Sequence, residues 1–219
     1  MILIGMFDSP FVRRVAVSMK LLEIPFEHRN WSVGKDQDEI RKYNPLGRVP
    51  TLVLGDGEVL VESAAILDYL DERVGPERAL LPTNGETRRK TLKLMVVATG
   101  AAEKGVAQVY ERVFRPEEKR HEPWVERCSE QMHGALAELD RACGPVTDGH
   151  WLVGERLTQA DITVTAAFTF LSETLNLRAE RYPALARHVA RCEVLREFQA
   201  THVPFFAPKA ASDKQNTTA

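Results

Sequence analysis

Short apolar runs alternate with helical periodicity through the first third of the chain, and long helical periodicity without strands follows. Ile2-Leu3-Ile4 reads as a buried strand. After Ser9-Pro10, apolar Val12, Val15, Ala16, Met19 and Leu22 recur at intervals of three and four, which predicts a helix packed by one face on that strand and ended by Ile24-Pro25. Phe26 to Trp31 is a weaker strand candidate. Gln37 to Tyr43 is a short helix stopped by Asn44-Pro45, because a residue before proline is pushed out of the α region. Thr51 to Leu54 and Val59 to Val61 flank Gly55-Asp56-Gly57-Glu58, a strong hairpin signal. Ser63 is the expected cap of a third helix with an apolar stripe of Ile66, Leu67, Leu70 and Val74, stopped at Gly75-Pro76.

The order is therefore βαβαββα, an α/β unit. From Leu81-Pro82-Thr83-Asn84-Gly85 onward the pattern is all-helical, beginning near Glu86 and interrupted around Arg115-Pro116 and Gly144-Pro145. This divides the chain into an α/β part at 1–77, a linker at 78–85, an all-α part at 86–207 and a polar tail without periodicity at 208–219, expected to be loose. Thr158 and Asp161 have the spacing of a capping box, with Leu157 and Ile162 as its staple.

Composition narrows the function. With 219 residues, 44% of them apolar, the chain can bury a sizeable core. Its 29 basic and 31 acidic side chains nearly balance, and no basic stretch is interleaved with aromatics, so a nucleic-acid surface is not expected. The longest apolar runs are far shorter than a membrane span, and MILIGMF meets Asp8 too early for a signal peptide, so a cytoplasmic protein with no membrane contact is expected. Cys128, Cys143 and Cys192 are odd in number and far apart, which suits free thiols. The six histidines show neither HxxxH nor HExxH spacing, and no metal is expected.

Several residues have both a structural and a chemical reading. Ser9 before Pro10 is a good helix cap, yet its hydroxyl also sits at a helix N-terminus, where an anion is favoured. Pro50 cannot donate to a sheet and belongs at a strand's edge or start, for which a turn is account enough; were its bond cis, Val49 would present its N–H and C=O to an extended ligand. Glu62-Ser63 stands at a strand-to-helix junction, where capping alone accounts for both. Lys35 and Arg48, read singly, are solvated cations. Val97, Val106, Val109 and Tyr110 have ordinary core spacing that would also suit the wall of a site. Glu103, Lys104, Gln108, Glu111 and Arg112 read as a solvated or dimer-facing helix surface.

Taken together, "DSPFVRRV", "NPLGRVPTL", "ES" before the third helix and "LTQADITVTA" in the helical part resemble the glutathione transferase superfamily over residues 1 to 205. "DSPFVRRV" is similar to its serine-type bacterial and tau-like members. Met6 and Phe7 occupy the zone where tyrosine-type members keep a phenol, and Pro10 follows the serine where cysteine-type members have a thiol.

The resemblance implies a thioredoxin-like first half, glutathione as co-substrate and a homodimer. It makes Ser9 the hydroxyl that hydrogen-bonds the glutathione sulfur, and Val49, before Pro50, the partner of the cysteinyl main chain. Glu62 and Ser63 would hold the γ-glutamyl ammonium and carboxylate, and Arg48, with Lys35 as a second candidate, the glycyl carboxylate. Thr158 and Asp161 are folding elements. The implied reaction is attack of the glutathione thiolate on a small hydrophobic electrophile. The alternatives are a non-enzymatic interaction module on the same fold and a glutathione-dependent isomerase or disulfide reductase, which the missing cysteine beside Ser9 disfavours.

Overall fold

Strand β1 (Ile2–Ile4) lies inside a four-stranded sheet of order β2-β1-β3-β4, pairing in parallel with β2 (Glu27–Arg29) and antiparallel with β3 (Thr51–Val53). β4 (Val59–Val61) closes the edge antiparallel to β3, with Leu52 opposite Leu60. The structure, a computed structural model, describes residues 1–144 and 150–205; the expected loose tail at 208–219 and Pro145 lie outside them.

Helices α1 (Pro10–Leu21), α2 (Gln37–Arg41) and α3 (Ser63–Val74) complete the predicted βαβαββα order of a thioredoxin-like half. Val12, Val15, Ala16 and Met19 of α1 pack with Leu3, Leu52, Ile66 and Leu70 in one buried core, as the period of the apolar positions demands. Gly5 is required where the chain leaves β1: at φ +130° a Cβ would lie 2.5 Å from Val12 and 2.8 Å from Val49.

Among the described residues five helices follow: α4 (Gly85–Val113), α5 (Glu122–Cys143), α6 (Gln159–Leu175), α7 (Pro183–Glu193) and the short α8 (Arg196–Gln199), with single 3₁₀ turns at Glu117–Lys119 and Ala179–Arg181. Their core joins Ala98, Ala101 and Ala102 of α4 to Met132 and Leu136 of α5 and to Val164, Ala167 and Leu171 of α6. The small residues let α4 and α6 approach closely. At Gly105 a Cβ would stand 2.1 Å from Leu171 Cδ2, so no larger residue fits without moving a fully buried leucine.

The capping box forms. Asp161, fully buried, accepts from the Thr158 N–H at 2.8 Å and hydroxyl at 2.9 Å, and from the Leu152 N–H at 3.0 Å; its Oδ1 faces His188 Nε2 at 3.2 Å. Ile162 and Leu157 pack in a small cluster with Val17 and Phe198, as the staple predicts.

Two expectations from the polar pattern fail. Gln108 and Glu111 are buried, not solvated: Gln108 donates to the Lys104 carbonyl at 3.2 Å, and Glu111 accepts from the His121 N–H at 3.0 Å and Arg115 at 2.8 Å. Both partners of Glu111 sit at the turn that ends α4, so the carboxylate organises that turn. Ser63 is not the cap of α3. Glu62 is, and Ser63 is the first helical residue.

The two halves meet along α1. Arg13, buried, donates to both carboxylate oxygens of Glu193 at 2.7 and 2.6 Å and to the Phe198 carbonyl at 3.1 Å. Gln159 donates to Ser18 at 2.9 Å, and Arg156 to the carbonyls of Glu77 and Ala79 at 2.8 and 2.9 Å. Removing one partner of a buried pair leaves the other charge uncompensated. Arg13→Ala should therefore lower the unfolding free energy by about 3 kcal/mol, whereas Lys90→Ala, which breaks an exposed pair with Glu86, should cost at most about 0.5 kcal/mol. Urea denaturation of both variants checks this, and equal losses would show Arg13 to be no more than a surface contact.

Candidate active site

A cavity of about 740 Å³ lies between the halves. Its sheet-side wall is polar and mixed, with Asp8, Ser9, Lys35, Gln37, Arg48 and Val49; the helical wall is apolar, with Val106, Val109 and Val113 of α4, Phe170 of α6 and Phe205. Phe11 joins the two walls, and Tyr110 faces in from α4.

Ser9 caps α1 with extended backbone at φ -72° and ψ 125°, and Pro10 takes the first helical position. Its hydroxyl accepts from the Val12 N–H at 3.4 Å, a long cap bond that leaves the hydroxyl hydrogen free to donate. The same side chain lines the cavity. Ser9 is thus both a cap and a donor at the positive end of a helix.

The Val49–Pro50 bond is cis, and Pro50 is buried just before β3. Asn44 secures the approach: its Nδ2 donates to the Arg48 carbonyl at 2.9 Å and its Oδ1 accepts from the Leu46 N–H at 3.0 Å. Val49 makes no hydrogen bond through its own N–H or C=O among the described residues, and it faces the cavity.

Glu62 adopts φ +66° and ψ 129°, left-handed backbone that a residue with a Cβ rarely takes. The turn swings the Ser63 hydroxyl inward, where it accepts from Arg14 Nη2 at 2.6 Å. This explains the missed cap: the serine serves a buried guanidinium instead. Burial lowers Arg14 to about 10 against the pull of Glu62 and Glu103, so it stays a cation at neutral pH. Arg48 Nη1 lies 3.5 Å from Glu62 Oε1, with both side chains about half exposed. Such a pair is weak.

Of the residues singled out in the sequence, Ser9, Lys35, Arg48 and Val49 share the cavity wall. Glu62 is joined to that wall through Arg48, and Ser63 follows it in the chain. Thr158 and Asp161 are elsewhere, at the start of α6, and Val97 packs in the helical core. Asp8, Trp31, Phe114, Phe170 and Phe205 were not legible as site residues. Positions 106, 109, 110 and 113 do form one helical face, but a core stripe has the same spacing. Burial pushes the Tyr110 phenol up; Arg48 opposes and Asp8 adds, so the hydroxyl keeps its proton.

Cys128, Cys143 and Cys192 are buried free thiols outside the cavity lining, and burial pushes Cys143 and Cys192 up to about 12. Among the described residues no helix is long and apolar enough to cross a membrane, and no three His, Cys, Asp or Glu side chains are grouped to hold a metal ion.

A thioredoxin-like half joined to a helical half, with a cavity at their junction, defines a two-domain class. Residues 3–78 match the family model for the glutathione S-transferase N-terminal domain, and residues 122–191 that for the C-terminal domain. The chain belongs to the glutathione S-transferase superfamily. It is 30% identical to a glutathione S-transferase of Methylobacterium radiotolerans solved with glutathione sulfonate, with a TM-score of 0.86 over 94% of this chain and 95% of that one. A glutathione S-transferase of Methylobacillus flagellatus, solved with glutathione bound, is 28% identical with a TM-score of 0.84 over 91% of this chain and 98% of the other. A probable maleylacetoacetate isomerase 2 of Drosophila melanogaster is 28% identical over 86% of this chain and 82% of its own.

The left-handed backbone at Glu62 separates strain from side-chain loss. Glu62→Ala and Glu62→Gly both remove the carboxylate, but only glycine relieves the φ of +66°. Glu62→Gly should be the more stable of the two by about 1 kcal/mol. Thermal or urea denaturation compares them, and an alanine variant as stable as the glycine one would mean that the turn stores no strain.

Proposed function

We propose that this protein is a serine-type glutathione transferase, in which Ser9 stabilises the glutathione thiolate for attack on a small hydrophobic electrophile. The observation that carries the reading is one cavity with a free hydroxyl donor at a helix N-terminus on its polar wall and an apolar wall opposite. The polar wall belongs to the half at 1–77, which binds the peptide; the helical half at 86–207, beyond a linker at 78–85, shapes the place of the electrophile.

Each polar group of glutathione has a complement. Val49 offers an unpaired N–H and C=O to the cysteinyl main chain. Glu62 accepts from the γ-glutamyl ammonium. Ser63, whose oxygen already accepts from Arg14, has its hydrogen left to donate to the neighbouring carboxylate. Arg48, with Lys35 nearby on the same wall, meets the glycyl carboxylate. The weak Arg48–Glu62 pair is easily exchanged for these partners.

A thiol of pKa about 8.5 is only a few per cent ionised at neutral pH, and lowering it by two units takes about 2.7 kcal/mol. One hydroxyl donor to an anion supplies roughly 1.5 to 3 kcal/mol, and the helix N-terminus about 0.3 to 1 more. Ser9 is sufficient and needs no partner base, since it donates and does not attack. The thiol proton goes to water; the sulfur then forms a bond to the electrophilic carbon, and either the bond to a leaving group breaks and that group departs with the electron pair, or the C–O or C=C pair displaced in an epoxide or conjugated acid takes a proton from water.

The similarity to a probable maleylacetoacetate isomerase favours a second reading, in which the same thiolate adds reversibly to a conjugated acid. A disulfide reductase has less support, because the three cysteines are buried away from the cavity. The free thiols suit the reducing cytoplasm, and conjugation of small electrophiles there would serve detoxification.

Calorimetric titration with glutathione, paired with turnover of aryl halides, epoxides and a cis-configured conjugated acid, tests the choice; no heat of binding would leave the interaction-module reading standing. In Ser9→Ala the anion loses a donor, so the pKa of bound glutathione should rise by about one to two units. Turnover should fall at neutral pH and recover on the alkaline side. Ultraviolet thiolate absorbance at saturating glutathione measures this, and an unmoved pKa would reduce Ser9 to a cap.

We further propose a homodimer, the sheet half of one subunit against the helical half of its partner. Sedimentation at micromolar concentration should give about twice the 24.6 kDa chain mass; a persistent monomer would remove this proposal without touching the site.

A further inference from the structure

One residue of the cavity's apolar wall lies beyond the last helix, on chain that belongs to no element. Phe205 stands at the cavity's apolar end, edge-to-face on Phe170 with ring centroids 6.0 Å apart. The chain reaches it from α8 through Thr201, which is buried and donates to the carbonyls of Glu197 and Phe198 at 3.2 and 3.1 Å. His202, Val203 and Pro204 are exposed. What fixes the end of this segment is Glu173 on α6: its Oε1 lies 2.6 Å from His202 Nε2, and its Oε2 accepts from the Phe205 N–H at 3.2 Å.

A carboxylate is misplaced there by the usual rule. Glu173 sits in the last turn of α6, where the helix dipole disfavours negative charge, and that turn contains no basic residue. Both of its oxygens are turned to a segment 29 and 32 residues further along the chain. The pair with His202 is partly exposed and adds little to global stability. Its effect is local: it sets where the Phe205 ring stands.

We propose that Glu173 is a positioning residue which clasps the segment after α8, and that Phe205, held by it, supplies an apolar contact for the group attached to the glutathione sulfur. This rests on the reading of the cavity as the site for glutathione and its electrophile. In that reading, groups attached to sulfur run from Ser9 toward the helical wall and meet Phe205 and Phe170. The polar wall that holds the peptide is untouched by the clasp, so this apolar contact and glutathione binding are separable.

The test uses the full chain and two probes, glutathione and S-hexylglutathione, titrated by calorimetry. The ratio of their affinities isolates the contact made by the hexyl chain. Phe205→Ala should reduce that ratio about five- to tenfold, the effect expected for the loss of a ring's apolar contact, and Glu173→Ala should reduce it similarly, while the Kd for glutathione changes less than about twofold. Because Glu173 acts through Phe205, the double variant should lose no more than Phe205→Ala alone. Glu173→Gln keeps an acceptor for the Phe205 amide and should restore most of the ratio.

An unmoved ratio in Glu173→Ala overturns the inference, whether or not the melting temperature falls. A double variant that loses the product of the two single effects overturns it as well, since the residues then act independently. So does a parent that binds both probes equally well. A parent that binds neither probe overturns the glutathione reading first and this inference with it.

Discussion

Arg13 and Arg14, neighbours in the first turns of α1, are both buried, and a buried guanidinium has to be given acceptors. Successive residues of a helix point about 100° apart, so the two draw different elements toward α1. Arg13 collects Glu193 and the Phe198 carbonyl from the helical half. Arg14 collects Ser63 from the start of α3. One helix is thereby the common reference for both halves, and its N-terminus, with Ser9, opens into the cavity they enclose.

That arrangement explains which parts of the molecule were legible in the sequence. Strands β1, β3 and β4, the hairpin between the last two, and helices α1 and α3 follow from alternation, period and turn residues, all local signals. The Thr158–Asp161 box is equally local. Arg13 has no local signal, because its partner lies 180 residues away. Glu111 has a local arginine partner but was read as surface, since burial depends on how the end of α4 folds back through His121. The exchange of roles between Glu62 and Ser63 shows the same thing at one junction: residue preference selects the serine as cap, and a tertiary demand from Arg14 overrides it.

The site divides in the same way. Ser9, Arg48 and Val49 were legible because the stretches DSPFVRRV and NPLGRVPTL carry them, and Lys35 as a second candidate cation; the sheet half brings all four to one wall. The apolar wall was not, because valines and aromatics on a helix face have the same appearance whether they meet a ligand or another helix. Phe205 lies beyond the last helix, where periodicity carries no information. The polar wall has charges that can change partners and the apolar wall has none, so in the proposed function the recognition of a charged peptide and the tolerance of apolar groups fall to separate parts of the chain.

Gly105 has a consequence for how such a cavity can diverge. The contact between α4 and α6 leaves no space for a β-carbon, and the leucine in its way is fully enclosed. The close approach of the two helices therefore depends on a glycine one residue from Val106 and one turn from Val109. Drift in the sequence can deepen or fill the apolar wall by exchanging individual side chains, whereas a larger residue at 105 has first to displace the Leu171 side chain or to move α4 away from α6.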